Sequence, residues 1–73
     1  MTLWEFVETF DTIHPLYVQR AGGIPDYYKN TGELIDKNEY GCYGRVWDLD
    51  EDIVEYITLD GDNVITIEIK GER

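Results

Sequence analysis

Asp48-Leu49-Asp50-Glu51-Asp52 sets carboxylates at alternate positions, the residue type and spacing with which a calcium loop begins. An EF-hand loop starting at Asp48 needs glycine at its sixth position and glutamate at its twelfth, where this chain has Ile53 and Leu59. Starting at Asp50 puts Glu55 where the glycine belongs. A dedicated calcium loop is therefore excluded. His14 and Cys42 are the lone histidine and cysteine, and no spacing resembles a zinc site. Carboxylates also carry general acid–base chemistry, but acids grouped in a solvated loop lack the pocket that raises one pKa. With no phosphate-cradling glycine loop and no Ser–His pair, the residues predict a non-enzyme without cofactor or metal.

The same acids point more strongly to recognition. Sixteen Asp and Glu stand against six Lys and Arg, a formal charge of −10 over 73 residues. Asp48, Asp50, Glu51, Asp52, Glu55, Asp60 and Asp62 fall in one stretch without a basic residue. That field repels nucleic acid and anionic membrane and attracts basic surfaces. A local patch around Arg20, Lys29 and Arg45, beside Tyr27, Tyr28, Tyr40 and Tyr43, is the only counter-signal for direct nucleic-acid binding, and the overall sign opposes it. The opposite reading is mimicry. Carboxylates on one face of a strand repeat every ~6.7 Å, near two steps of a duplex strand at ~3.4 Å each. Acids held that way fit a basic channel built for phosphate, with tyrosines adding contact area. The plainer alternative is that the acids only keep a small domain soluble and its sheet edges unpaired.

These residues need a scaffold, and the composition supplies one. Apolar residues make up 42%, and Trp4, Trp47, Phe6, Phe10 and six tyrosines exclude a disordered acidic tail. The length predicts a single domain over residues 1–73, small enough that a second subunit is a reasonable route to extra burial. A single cysteine forbids an internal disulfide and fits a reducing cytoplasm. No apolar run reaches the ~20 residues that span a bilayer, and no basic-then-apolar leader is seen, so a cytoplasmic protein is expected.

Thr2 and Glu5 have capping-box spacing, and Leu3, Phe6, Val7 and Phe10 form an apolar stripe at i, i+3, i+4 and i+7. They predict a helix of roughly nine residues, ended by Asp11, Thr12 and Pro15. Leu16 to Arg20 reads as a strand, broken by Ala21-Gly22-Gly23 and Pro25. Asn30-Thr31-Gly32 reads as a turn between Tyr27-Tyr28-Lys29 and Glu33-Leu34-Ile35, a small hairpin, although residues 24–44 are the least determined part. Ile53 to Leu59 and Val64 to Lys70 predict a C-terminal hairpin around Asp60-Gly61-Asp62-Asn63. Ile65, Ile67 and Ile69 alternate cleanly, whereas Ile53, Ile57 and Leu59 share a face with Glu55, a pattern that fits either a bulge or an irregular entry from the acidic turn. The expected fold is α+β, the first helix packed on a small antiparallel sheet of about three to five strands. Leu3, Phe6, Val7 and Phe10 would face Ile65, Ile67 and Ile69, with Trp4 either at the core margin or an exposed anchor.

The opening Met-Thr-Leu-Trp-Glu-Phe-Val-Glu-Thr-Phe-Asp, the Asn-Thr-Gly turn, Val-Trp-Asp-Leu and the closing Asp-Asn-Val-Ile-Thr-Ile-Glu-Ile resemble small proteins of phages and mobile elements in gut Firmicutes. The resemblance spans most of the chain and carries over no functional residues. It implies a setting in which small acidic proteins include inhibitors of host restriction and CRISPR nucleases, some of which occupy the DNA channel. The combined expectation is a stoichiometric inhibitor of a basic, nucleic-acid-handling bacterial protein such as a nuclease. Asp48, Asp50, Glu51, Asp52 and Glu55 would supply charge, and Trp47, Tyr43 and Tyr56 buried contact. The alternative is a self-associating accessory module, a homodimer built on a sheet edge or aromatic patch.

Overall fold

The computed structural model describes residues 1–10 and 12–71, in the order α1 (Leu3–Thr9), β1 (Leu16–Arg20), β2 (Asp26–Tyr28), α2 (Thr31–Asn38), β3 (Val54–Leu59) and β4 (Ile65–Ile69). Two helices and a four-stranded sheet make an α+β fold with a C-terminal β3–β4 hairpin.

α1 starts where the capping box requires. The Glu5 N–H donates to Thr2 Oγ1 at 3.1 Å, and the Thr2 N–H donates to Glu5 Oε1 at 3.0 Å. The helix runs seven residues, shorter than its apolar stripe, because Phe10 already leaves helical geometry as the C-cap. Leu3, Phe6 and Val7 are buried, but Phe10 is not the core residue expected; it is 43% exposed and stacks on Phe6 with ring centroids 5.1 Å apart. Asp11, expected among the residues ending the helix, lies outside the described residues.

The hairpin expected around Asn30-Thr31-Gly32 is replaced by α2. Asn30 adopts an extended N-cap conformation, and its side chain accepts the Glu33 N–H at 2.8 Å. Asn is both a turn former and a helix cap. Here the cap wins, helped by Glu33 in the first turn and Lys37 in the last, which pair at 3.2 Å. β2 pairs with β1 instead, across a turn in which Gly22 takes φ +77°, a conformation that favours glycine.

The strand order is β2-β1-β4-β3. β1–β2 and β4–β3 are antiparallel, but β1 and β4 run parallel, Leu16 beside Ile65 through Arg20 beside Ile69. The sheet is therefore mixed, not wholly antiparallel. A parallel neighbour needs a long crossover, supplied here by β2, α2 and β3. The suspected bulge exists: pairing shifts between Val54 and Tyr56, leaving Glu55 as the extra residue. It reverses strand parity, so Val54, Ile57 and Leu59 lie beside Ile69, Ile67 and Ile65 on one face.

Leu3, Phe6 and Leu34 from the helices and Leu16, Val18 and Ile67 from the strands are fully buried in one cluster. Each contributes about 1.5–3 kcal/mol of burial. Both helices thus cover one face of the sheet. The other face carries Tyr17, Tyr27 and Tyr56, all exposed.

Candidate functional site

The acidic stretch divides into carboxylates that build the fold and carboxylates that face outward. Asp48 opens a single helical turn: its Oδ1 accepts the N–H groups of Asp50 and Glu51 at 3.0 and 3.1 Å, and the Asp52 N–H donates to the Asp48 carbonyl at 2.9 Å. Asp52 closes the loop from the other side. Its side chain is wholly buried, with Oδ2 accepting the Asp48 N–H at 2.8 Å and Oδ1 meeting Arg20 Nη2 at 3.1 Å. Arg20 Nη1 also donates to the Lys70 carbonyl at 2.7 Å, tying the turn to the ends of β1 and β4. A buried charge held by a guanidinium and a backbone N–H is a structural element.

Trp47 is likewise internal, only 5% exposed. Its Nε1–H donates to Asp26 Oδ2 at 2.9 Å, and the Arg20 guanidinium lies 5.4 Å from the ring centroid. Asn38, the last residue of α2, fixes this segment. Its Oδ1 accepts the N–H groups of Val46 and Trp47 at 3.0 and 2.9 Å, while Nδ2 donates to Tyr28 Oη and the Leu34 carbonyl. Burial pushes the Tyr28 phenol above its ordinary 10.0, and the Asn38 hydrogen bond partly opposes that shift. Glu5, in contrast, is held below its ordinary value by the Thr2 backbone N–H and hydroxyl.

Asp50, Glu51, Glu55, Asp60 and Asp62 are exposed, and none forms an ion pair among the described residues. They do not form a ladder on alternate strand positions. Asp50 and Glu51 occupy the turn before β3, Glu55 its bulge, and Asp60 and Asp62 the turn after it, so the charge brackets β3. Tyr56 projects from β3 at 60% exposure, whereas Tyr43 is fully exposed on a separate loop between Gly41 and Gly44. The fold therefore gathers Asp50, Glu51, Glu55 and Tyr56 around β3 and assigns Trp47 and Asp52 to the interior.

Asp26 and Asn38 carry no signal in the sequence, and Arg20, read there only as part of a basic patch, instead holds Asp52; these roles exist only through tertiary contacts. Sequence reasoning also passed over the exposed Tyr17–Tyr27 pair at 5.3 Å, for which the adjacency of β1 and the Tyr27-Tyr28 run was the available signal. The basic patch considered for nucleic acid is dispersed: Arg20 holds Asp52, and Arg45 lies 3.8 Å from Asp48 and over Tyr40. A half-open depression beside Trp4, Tyr40, Arg45 and Leu49 holds about 210 Å³, below the ~300 Å³ at which ligand pockets begin, and a wider concavity of about 580 Å³ along Tyr40 to Arg45 lies largely open to solvent. Among the described residues no group of three or more His, Cys, Asp or Glu is placed to hold a metal ion, and no helix is long and apolar enough to cross a membrane. No protein-family model matches the chain, and no curated protein or solved structure matches it either.

Proposed function

We propose that this protein is a small phage or mobile-element binding protein that inhibits a basic, nucleic-acid-handling protein in the bacterial cytoplasm by stoichiometric contact, as an anti-CRISPR or anti-restriction factor. One observation carries the reading: four exposed carboxylates flank β3 and a fifth, Glu55, lies in its bulge, and none is neutralised by an ion pair among the described residues. Charge in that state steers association with a basic surface and competes with phosphate for it. Tyr56 and Tyr43, exposed near or beyond the acids, supply contact area that buried Trp47 cannot.

The test is capture from a host lysate on the immobilised protein, eluted with rising salt and with added duplex DNA. A nuclease or other DNA-binding protein released by both is the expected result. Recovery of the protein alone, unaffected by salt, rejects the reading. A second reading, self-association, is favoured by exposed Tyr56, Ile57 and Leu59 on edge strand β3. It expects a dimer whose formation depends on concentration and is unaffected by reversing the exposed acids.

A further inference from the structure

The outer edge of β3 is open along only part of its length. At its start the chain's own N-terminus covers it: Thr2 bridges Ile53, and the Val54 N–H donates to the Met1 carbonyl at 2.7 Å. Beyond the Glu55 bulge no strand among the described residues pairs with it, since β3 is the last strand of the sheet. The direction of its backbone groups follows from the ladder. The Asp60 N–H donates to the Val64 carbonyl, so by the two-residue alternation of antiparallel pairing Thr58 and Tyr56 also turn their polar groups to β4. The N–H and C=O groups of Ile57 and Leu59 then face the open edge. The two residues are 43% and 66% exposed although they lie on the helix-covered face, so the core surface is unfinished there.

Charge selects what finishes it. Glu55 and Asp60 stand at the two ends of the open segment, about 17 Å apart along the strand. A second copy paired antiparallel with Ile57 opposite Ile57 would set each Asp60 opposite the other chain's Val54, one residue from its Glu55, so both ends of the paired segment would gather like charge. A segment with Lys or Arg at both ends meets the opposite sign at each. Resting on the binding role proposed above, we infer that the Ile57–Leu59 edge receives an extended polypeptide segment of the partner as an added strand, apolar at alternate central positions and basic at both ends. Backbone pairing would supply register, and Glu55, Asp60 and Asp62 would select for basic flanks.

Amide hydrogen exchange followed by NMR on the intact protein tests this with the peptide Lys-Lys-Val-Thr-Val-Thr-Val-Lys-Lys as probe. Exchange at Ile57 and Leu59 should slow at least about tenfold when the peptide is bound, while Tyr56 and Thr58 are protected from the start. The same peptide with glutamates for lysines should have no effect. The double variant E55K/D60K should lose the protection while retaining the parent's folded spectrum. Unchanged exchange at Ile57 and Leu59 with the lysine peptide at millimolar concentration overturns the proposal. Equal protection by the glutamate peptide also overturns it, as does protection that needs only raised protein concentration, which would make a second copy the occupant. A partner captured from lysate that leaves these two amides exchanging rejects the strand addition and keeps the inhibitory reading. Protection by the peptide with no such partner rejects the inhibition and keeps the edge.

Discussion

Arg20 Nη2 lies 3.1 Å from Asp52 Oδ1, with the Asp52 side chain wholly buried and the Arg20 side chain 29% exposed. This contact joins the end of β1 to the turn that leads into β3, and Arg20 also covers the Trp47 ring. D52A should lose about 1–3 kcal/mol, because it removes the buried acceptor of the Asp48 N–H and one acceptor of Arg20, which keeps its bond to the Lys70 carbonyl. Urea unfolding with linear extrapolation measures it. A loss below about 1 kcal/mol would mean that the pair is no more than a surface ion pair.

The outward acids should behave in the opposite way. D50K and E51K combined with E55K should stay within about 0.5 kcal/mol of the parent per substitution, since each side chain is exposed and unpaired. Association with a basic partner should slow and lose its salt dependence, as stopped-flow or biosensor on-rates would show. Reversing Asp52 together with them would not test recognition, because it breaks the buried pair.

Asn38 uses both ends of its amide inside the core. N38A leaves the Val46 and Trp47 N–H groups and the Tyr28 hydroxyl without that partner and should cost about 2–4 kcal/mol. Trp47 fluorescence should shift to the red under native conditions as its segment loosens. An unshifted spectrum with parental stability would show that water replaces the side chain.

The pH dependence has two limbs of opposite sign. Burial raises the Tyr28 phenol in the folded protein, so its contribution is fully present below the ordinary value of 10.0 and disappears as pH rises through the folded value. Absorbance at 295 nm should show Tyr28 ionising above the ordinary phenol value, together with loss of structure. Glu5 is lowered by its Thr2 hydrogen bonds, so its contribution is present above 4.5 and is lost as pH falls through the folded value. Helical circular dichroism should report fraying of α1 on that limb, and E5Q should weaken the pH dependence there.

Much of the fold was legible wherever the responsible contacts are local. Thr2 and Glu5 are three residues apart, so the capping box that starts α1 is readable in four letters. The β3–β4 hairpin follows from its turn residues and the alternation of Ile65, Ile67 and Ile69, and the misplaced Glu55 announced the bulge. α2 was hidden because Asn30 suits a turn and a cap equally, and only the Glu33 N–H and the packing of Leu34 decide between them.

The candidate site was legible as charge but not as geometry. Seven acids in one stretch look alike in a sequence. Asp52 differs from Asp50 and Glu51 only because Arg20, far away in the chain, arrives beside it when β1 docks parallel to β4.

By itself the sequence determined the net charge, the N-terminal cap, the C-terminal hairpin and its bulge, all set by composition or by neighbours a few residues apart. Tertiary structure alone decided the parallel β1–β4 pairing, the burial of Trp47 and Asp52, and the open Ile57–Leu59 edge. The physical reason is that desolvation and strand pairing depend on which distant segments meet, so identical carboxylates become a core contact or a free charge according to their neighbours in space.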